Sequence, residues 1–121
     1  MNKGRKITGG KYHANRKKKL YEISRDQRKT VVGELKRKIM RVKGGNKKPI
    51  LLSMDTANIT SEKGKTQKAE IKKVLETPQN KFLARQNRLM KGVIIETSLG
   101  KAKITNRPSQ EGSINAILLK E

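Results

Sequence analysis

The chain has 121 residues, of which 31 are lysine or arginine and 10 are aspartate or glutamate, giving a formal net charge of +21. Only 32% of the residues are hydrophobic and none is cysteine, which excludes a disulfide framework, a thiolate metal site and a cysteine nucleophile. The positive charges of such a chain repel one another, and an anionic polymer such as a nucleic acid is the binding partner that would neutralise them.

The charge is unevenly distributed along the chain. The first 48 residues contain 18 of the basic and 3 of the acidic residues, a net charge of +15, whereas residues 49–121 carry a net charge of +6. This asymmetry is typical of a basic nucleic-acid-binding arm attached to a compact domain. We therefore predict a basic extension over residues 1–38, largely irregular in the free protein and folding on binding, and a small β domain over residues 39–121.

The strongest signal in the extension is Arg16-Lys17-Lys18-Lys19, because four consecutive cations repel one another until phosphates neutralise them. A solvated charge run or a localisation-type patch is the alternative. Tyr12 and Tyr21 bracket this run, and each suits stacking on an unpaired base, although Tyr21 could equally anchor the extension to the domain. The single histidine, His13, is interpreted as a phosphate or base contact or as an exposed side chain. A short helix is predicted over residues 20–30.

Two glycine pairs, Gly9-Gly10 and Gly44-Gly45, lie beside basic residues. Glycine reaches positive φ and lets backbone N–H groups approach phosphate oxygens, although a flexible spacer explains the first pair equally well. The second pair lies in a basic junction over residues 41–48, which follows a strand predicted at 38–43.

Beyond Pro49 the chain alternates short apolar runs with glycine and proline turns. Strands are predicted at residues 50–55, 93–97, 101–105 and 113–119, a strand edge or loop at 57–61, turns at 62–66, 77–80 and 98–100, and a loop at 107–112. Residues 67–77 suit a helix and a strand almost equally, and a further element begins at Phe82. Short strands with such turns predict a mainly β fold, with a small antiparallel β-barrel-like or sandwich domain.

The sequence carries no P-loop, dinucleotide fingerprint, zinc-ligand spacing or nucleophile elbow, and its acidic residues are scattered. It therefore predicts no enzyme, no cofactor and no metal site. No apolar run approaches the ~20 residues that cross a bilayer, and the start of the chain is unlike a signal peptide, so a cytoplasmic location is expected.

Three basic motifs occur in an order and spacing that resembles a known family. They are Thr8-Gly9-Gly10-Lys11, Arg16-Lys17-Lys18-Lys19-Leu20-Tyr21-Glu22 and Arg41-Val42-Lys43-Gly44-Gly45-Asn46-Lys47-Lys48, and the similarity continues through Asp55-Thr56-Ala57-Asn58 and residues 106–112. Over its full length the chain resembles small-ribosomal-subunit protein eight of the archaeal and eukaryotic type, in its shorter archaeal form. It departs from that family at Ile59-Thr60, where members often have Ser-Trp, and at residues 98–100, where a short hairpin replaces the long eukaryotic insertion.

The resemblance implies a barrel-like domain with a long basic N-terminal extension and favours a strand at residues 67–77. It also implies a structural constituent of the small ribosomal subunit that binds ribosomal RNA, beside neighbouring ribosomal proteins. The alternative is a non-ribosomal nucleic-acid chaperone or architectural protein without a fixed RNA site. The predicted RNA contacts are Lys3, Arg5, Lys6, Thr8, Gly9, Gly10, Lys11, Tyr12, His13, Arg16, Lys17, Lys18, Lys19, Tyr21, Arg25, Arg28, Lys29, Arg37, Arg41, Lys43, Gly44, Gly45, Asn46, Lys47, Lys48 and Arg107.

Overall fold

The computed structural model describes residues 4–13 and 15–119, so the predicted contact Lys3 lies outside the described residues. Within those ranges the chain forms seven strands and two short helices. In chain order they are β1 Lys36–Arg41, β2 Lys47–Ser53, β3 Thr56–Thr60, β4 Thr66–Glu76, α1 Lys81–Arg85, β5 Ile94–Thr97, β6 Gly100–Ile104, α2 Pro108–Glu111 and β7 Asn115–Leu118.

Strands β3 to β7 form a closed barrel in chain order. Neighbouring strands pair antiparallel, and the barrel closes where β3 and β7 pair parallel, with Ile59 opposite Ala116. The predicted mainly β, barrel-like fold is therefore confirmed. The long strand β4 also confirms the strand that the resemblance favoured for residues 67–77.

The barrel interior contains isoleucines and alanines that oppose one another across strand pairs. Ile95 pairs with Ala102, and Ile104 pairs with Ala116, and all four side chains are buried. A small barrel fills its interior with side chains, and pairing a large side chain with a small one helps them fit the narrow space. Alternating polar residues face outward, as in β3, where Ala57 and Ile59 are buried between partly exposed neighbours.

Strands β1 and β2 form a separate two-stranded hairpin. Its tip is a 3-10 turn over Lys43–Gly45, in which Gly44 and Gly45 both have φ of 79° and the Val42 N–H donates to the Asn46 carbonyl at 2.7 Å. Residues other than glycine adopt this backbone conformation at a cost, which explains the glycine pair in the basic junction. Strand β1 begins and ends two residues before the predicted strand at 38–43.

The hairpin is held against the barrel at two places. Leu51 of β2 is fully buried in the barrel core, and Pro49 packs against the buried Gly112 at the end of α2. The chain before the hairpin is fixed as well, because Thr30 donates its hydroxyl to the Leu51 carbonyl at 2.9 Å. The Thr30 carbonyl accepts from the Leu89 N–H at 2.9 Å. Thr30 therefore links the N-terminal segment to both β2 and the barrel.

Three local predictions need correction. The helix at 20–30 is wrong: a turn at 20–23 leads into an extended segment, because residues 24–30 contain no apolar side chain to bury and short isolated helices are marginal. The loop at 107–112 contains α2, which has Pro108 in its first turn and ends at Gly112 with φ of 71°. The stretch at 57–61 is neither edge nor loop, since it forms the barrel strand β3.

Candidate nucleic-acid interface

A basic groove lies between the N-terminal segment and the tip of the hairpin. We call it the hairpin groove, and its volume is about 790 Å³. Five cations line it, and no acidic residue does so among the residues that the structure describes. Its lining is Tyr21, Arg25, Arg28, Met40, Arg41, Val42, Lys43 and Lys48.

A second depression, the barrel cleft, lies between the N-terminal segment and the barrel, with a volume of about 460 Å³. Among the described residues its lining has four cations, Arg25, Arg28, Lys91 and Arg107, and one acidic residue, Asp26. Leu89, Met90 and Pro108 supply its apolar surface. A cleft with this charge suits a phosphate chain better than a neutral small molecule.

Arg25 and Arg28 belong to both depressions, so the extended segment at 24–29 separates the hairpin groove from the barrel cleft. The hydrogen bonds of Thr30 to Leu51 and Leu89 fix the C-terminal end of this segment. The Arg28 guanidinium also donates to the Met40 sulfur at 3.2 Å. Sulfur is a weak acceptor that carries no charge, so Arg28 keeps its positive charge available for an anion.

The Lys48 ammonium donates to the side-chain carbonyl of Gln110 and so connects the hairpin groove to α2. Arg107, which lines the barrel cleft, immediately precedes α2. The docking of β2 on α2 through Pro49 and Gly112 therefore sets the spacing between Lys48 and Arg107. Both sites depend on the same contact between the hairpin and the barrel.

The first glycine pair forms a compact turn. The Lys6 N–H donates to the Gly10 carbonyl and the Gly9 N–H donates to the Lys6 carbonyl, both at 2.9 Å. Gly9 has φ of 81°, and Arg5 donates to its carbonyl oxygen at 3.0 Å. The described residues of this turn are exposed, so the glycine pair builds a defined turn with basic side chains at its surface.

The motif Arg16-Lys17-Lys18-Lys19 lies in a turn that is held together by Glu22, six positions after Arg16. Arg16 makes two hydrogen bonds to the Glu22 carboxylate, at 2.6 and 2.7 Å, and the Lys19 N–H donates to the same carboxylate at 3.0 Å. Glu22 therefore neutralises one cation of the run, while Lys17, Lys18 and Lys19 remain exposed on the turn. Six residues separate the two partners, and no sequence rule indicates that they pair.

Lowering the pH is expected to open this turn. The Arg16 guanidinium, and then the Lys19 N–H, hold the pKa of Glu22 below its ordinary value of 4.5, and the same carboxylate raises the pKa of Arg16. Because the pKa of Glu22 is depressed in the folded turn, the stabilisation is complete above pH 4.5 and is lost as pH falls through the lowered value. The Lys19 amide resonance, followed by NMR from pH 6 to about 2.5, should titrate below pH 4.5.

A Glu22→Gln variant is the matched control for this titration, since it removes the carboxylate and keeps the side-chain shape. Its Lys19 amide should show no transition in this pH range. A wild-type transition at or above the ordinary glutamate pKa would contradict the ion pair.

The structure brings together a subset of the predicted contacts. Tyr21, Arg25, Arg28, Arg41, Lys43, Lys48 and Arg107 line the two depressions. The other described candidates line neither one: they lie on the exposed turns of the extension, on β1, at the hairpin tip, or at Lys29 and Lys47. Lys91 lines the barrel cleft and was missed. Its signal was available, because Lys91-Gly92 repeats the lysine–glycine pairing of Lys43-Gly44.

Comparison with known proteins identifies the family. The sequence profile described as Ribosomal protein S8e matches residues 1–119. The chain belongs to the ribosomal protein S8e family. The resemblance found in the basic motifs is thus confirmed, and membership makes this S8e protein a structural constituent of the ribosome, in its small subunit, and not an enzyme.

Curated relatives match nearly the whole chain. Small ribosomal subunit protein eS8 of Methanocorpusculum labreanum and that of Methanocella arvoryzae are each 47% identical over 116 residues, covering 95% of this chain and 93% of the relative. The corresponding protein of Methanococcus aeolicus is 46% identical over 119 residues, covering 97% of this chain and 93% of the relative.

Across residues 4–13 and 15–119, no group of three histidine, cysteine or acidic side chains is placed to hold a metal ion. In the same ranges no helix has both the length and the apolar character needed to cross a membrane.

Proposed function

We propose that this S8e protein binds small-subunit ribosomal RNA through the hairpin groove, the barrel cleft and the exposed turns of its extension. The observation that carries the proposal is the convergence of cations from three separate parts of the chain on two adjoining depressions. These parts are the extended segment at 24–29, the hairpin, and the loops beside the barrel at Lys91 and Arg107.

Affinity comes mainly from phosphate neutralisation. Each lysine or arginine that neutralises a phosphate releases counterions, so log K falls by ~0.7–0.9 for each contact per log unit of salt. Arginine adds forked hydrogen bonds to phosphate oxygens, which suits Arg25, Arg28 and Arg41 to positions where an RNA strand must be held in one orientation.

Specificity comes from the shape of the RNA. The major groove of A-form RNA is deep and narrow, so side chains recognise irregular regions, exposed strands and the geometry of the backbone. The hairpin and the barrel hold their cations at fixed spacing, whereas the extension carries exposed turns that follow the RNA surface. Most of the described part of the extension has no helix or strand, and its exposed turns become fixed between RNA segments on binding.

In the assembled particle the extension threads between RNA helices while the barrel remains at the outside of the folded RNA. The protein acts in the cytoplasm as part of the ribosome and contacts neighbouring proteins of the small subunit. Its predicted contacts on the exposed turns and at the hairpin tip serve the same phosphate-binding role as those in the two depressions.

Competition binding at near-physiological salt tests the proposal. Labelled small-subunit ribosomal RNA is bound to the full chain and displaced by equal masses of unlabelled ribosomal RNA or of an unrelated structured RNA. The proposal expects the unrelated RNA to compete only at the weak, non-specific level of about 1 µM or above. Equal competition by both RNAs would instead indicate a nucleic-acid chaperone without a fixed site.

A further inference from the structure

The hairpin groove differs from the barrel cleft in having an aromatic ring. Among the described residues of its lining Tyr21 is the one aromatic residue, and Met40 and Val42 are apolar. The barrel cleft has cations and aliphatic side chains but no aromatic residue in its described lining. A volume of about 790 Å³ lies within the range of pockets that hold small ligands.

Tyr21 does not anchor the extension. Its side chain is 78% exposed, and its apolar neighbours Leu20 and Ile23 are 78% and 50% exposed. Aromatic side chains are usually buried because they carry a large apolar surface. Tyr21 is instead held at the groove by the turn that Glu22 closes, in which the Glu22 N–H donates to the Lys19 carbonyl at 2.9 Å.

We propose that the hairpin groove holds one unpaired nucleotide of the bound RNA, with its base stacked on Tyr21. The apolar side chains of Met40 and Val42 in the same lining suit the other face or edge of the base. The cations at Arg41 and Lys43 take the phosphates on either side of this nucleotide. This site rests on the proposed function, because the nucleotide belongs to the same ribosomal RNA.

The arrangement selects an unpaired base for a physical reason. A base inside a duplex is already stacked on both faces and cannot reach the ring, whereas a bulged or looped base gains stacking on an aromatic side chain. The surrounding cations strengthen the preference, since they hold the backbone on both sides of an extruded nucleotide. Tyr12, the other tyrosine, lines neither depression and has the Lys6 ammonium 5.7 Å from its ring centre.

The two tyrosines allow a direct spectroscopic test, because the chain contains no tryptophan. In the full-length Tyr12→Phe variant all tyrosine emission comes from Tyr21, and in Tyr21→Phe it all comes from Tyr12. On addition of one equivalent of small-subunit ribosomal RNA, we expect strong quenching of Tyr21 emission. The Tyr21→Phe variant corrects for light absorbed by the RNA and should lose much less emission.

Affinity provides the second readout. Tyr21→Ala is expected to bind small-subunit ribosomal RNA roughly 5- to 150-fold more weakly, with an unchanged slope of log K against log salt, because stacking neutralises no phosphate. Tyr21→Phe keeps the ring and should retain wild-type affinity. Tyr21 is exposed, so these variants should have the same urea unfolding midpoint as the wild-type protein.

Two outcomes separate this site from the function on which it rests. If Tyr21 emission and the affinity of Tyr21→Ala are unchanged while the wild-type protein still prefers ribosomal RNA, the nucleotide site is wrong and the proposed function stands. If the wild-type protein shows no preference for ribosomal RNA, both are wrong.

Discussion

Replacing Arg25 and Arg28 together by alanine is expected to weaken binding of small-subunit ribosomal RNA roughly 15- to 30-fold at about 0.15 M salt. These two arginines line both the hairpin groove and the barrel cleft. Their loss therefore removes cations from both sites at once. Each phosphate contact that is lost also removes the counterion release that favoured binding. The expected loss of affinity is the combined effect of two such contacts. The measurement is a filter-binding or anisotropy titration with the full chain.

The matched control for this variant is Lys63→Ala with Lys65→Ala, which also removes two positive charges. Both lysines are exposed in the turn between β3 and β4 and line neither depression. The turn is held by backbone hydrogen bonds and by the Ser61 hydroxyl. The control should stay within a few-fold of wild-type affinity. Equal losses in the two double variants would mean that net charge alone governs binding.

Replacing Gly112 by alanine is expected to destabilise the fold by about 2–5 kcal/mol. A Cβ at this position would lie 2.9 Å from Cβ of Pro49, and the backbone has φ of +71°. The left-handed conformation opposes any side chain at this position. The clash opposes it as well, since Gly112 is buried where α2 meets the hairpin. Urea unfolding followed by far-ultraviolet circular dichroism measures the loss.

Gly64→Ala isolates the conformational part of this effect. Gly64 has φ of +76°, but a Cβ there would meet no atom within 4 Å. We expect it to cost only about 1–2 kcal/mol. A Gly112→Ala variant no less stable than Gly64→Ala would show that the contact between Gly112 and Pro49 does not hold the hairpin on the barrel.

The sequence was sufficient to predict the barrel wherever alternation is regular. The hairpin of β5 and β6 is the clearest case, because Ile95 and Ala102 are buried and their sequence neighbours are more exposed.

Strand β4 could not be assigned by periodicity for a specific reason. Its pairing with β5 shifts between Ile71 and Lys73 and again between Val74 and Glu76. These irregularities space the buried residues Ala69, Ile71, Val74 and Thr77 by two, three and three positions, which imitates a helical pattern.

The sequence was sufficient to predict most residues of the candidate interface, but not how the fold groups them. Charge alone identified most of the cations that line the two depressions. Their grouping depends on Thr30, whose hydroxyl and carbonyl make hydrogen bonds to Leu51 and Leu89. No local pattern in the sequence marks these long-range partners. The pairing of Arg16 with Glu22 was also not predictable, because no sequence rule links residues six positions apart in an irregular segment.

The most direct test of the interface is the salt dependence of ribosomal RNA binding by the wild-type chain and the two double variants. The slope of log K against log salt is negative. Relative to wild type, it should become less steep by ~1.4–1.8 for Arg25→Ala with Arg28→Ala and stay unchanged for Lys63→Ala with Lys65→Ala. That result would place phosphates at the two depressions. Unchanged slopes in both variants, with wild-type affinity retained, would contradict the account and move the RNA contacts elsewhere on the protein.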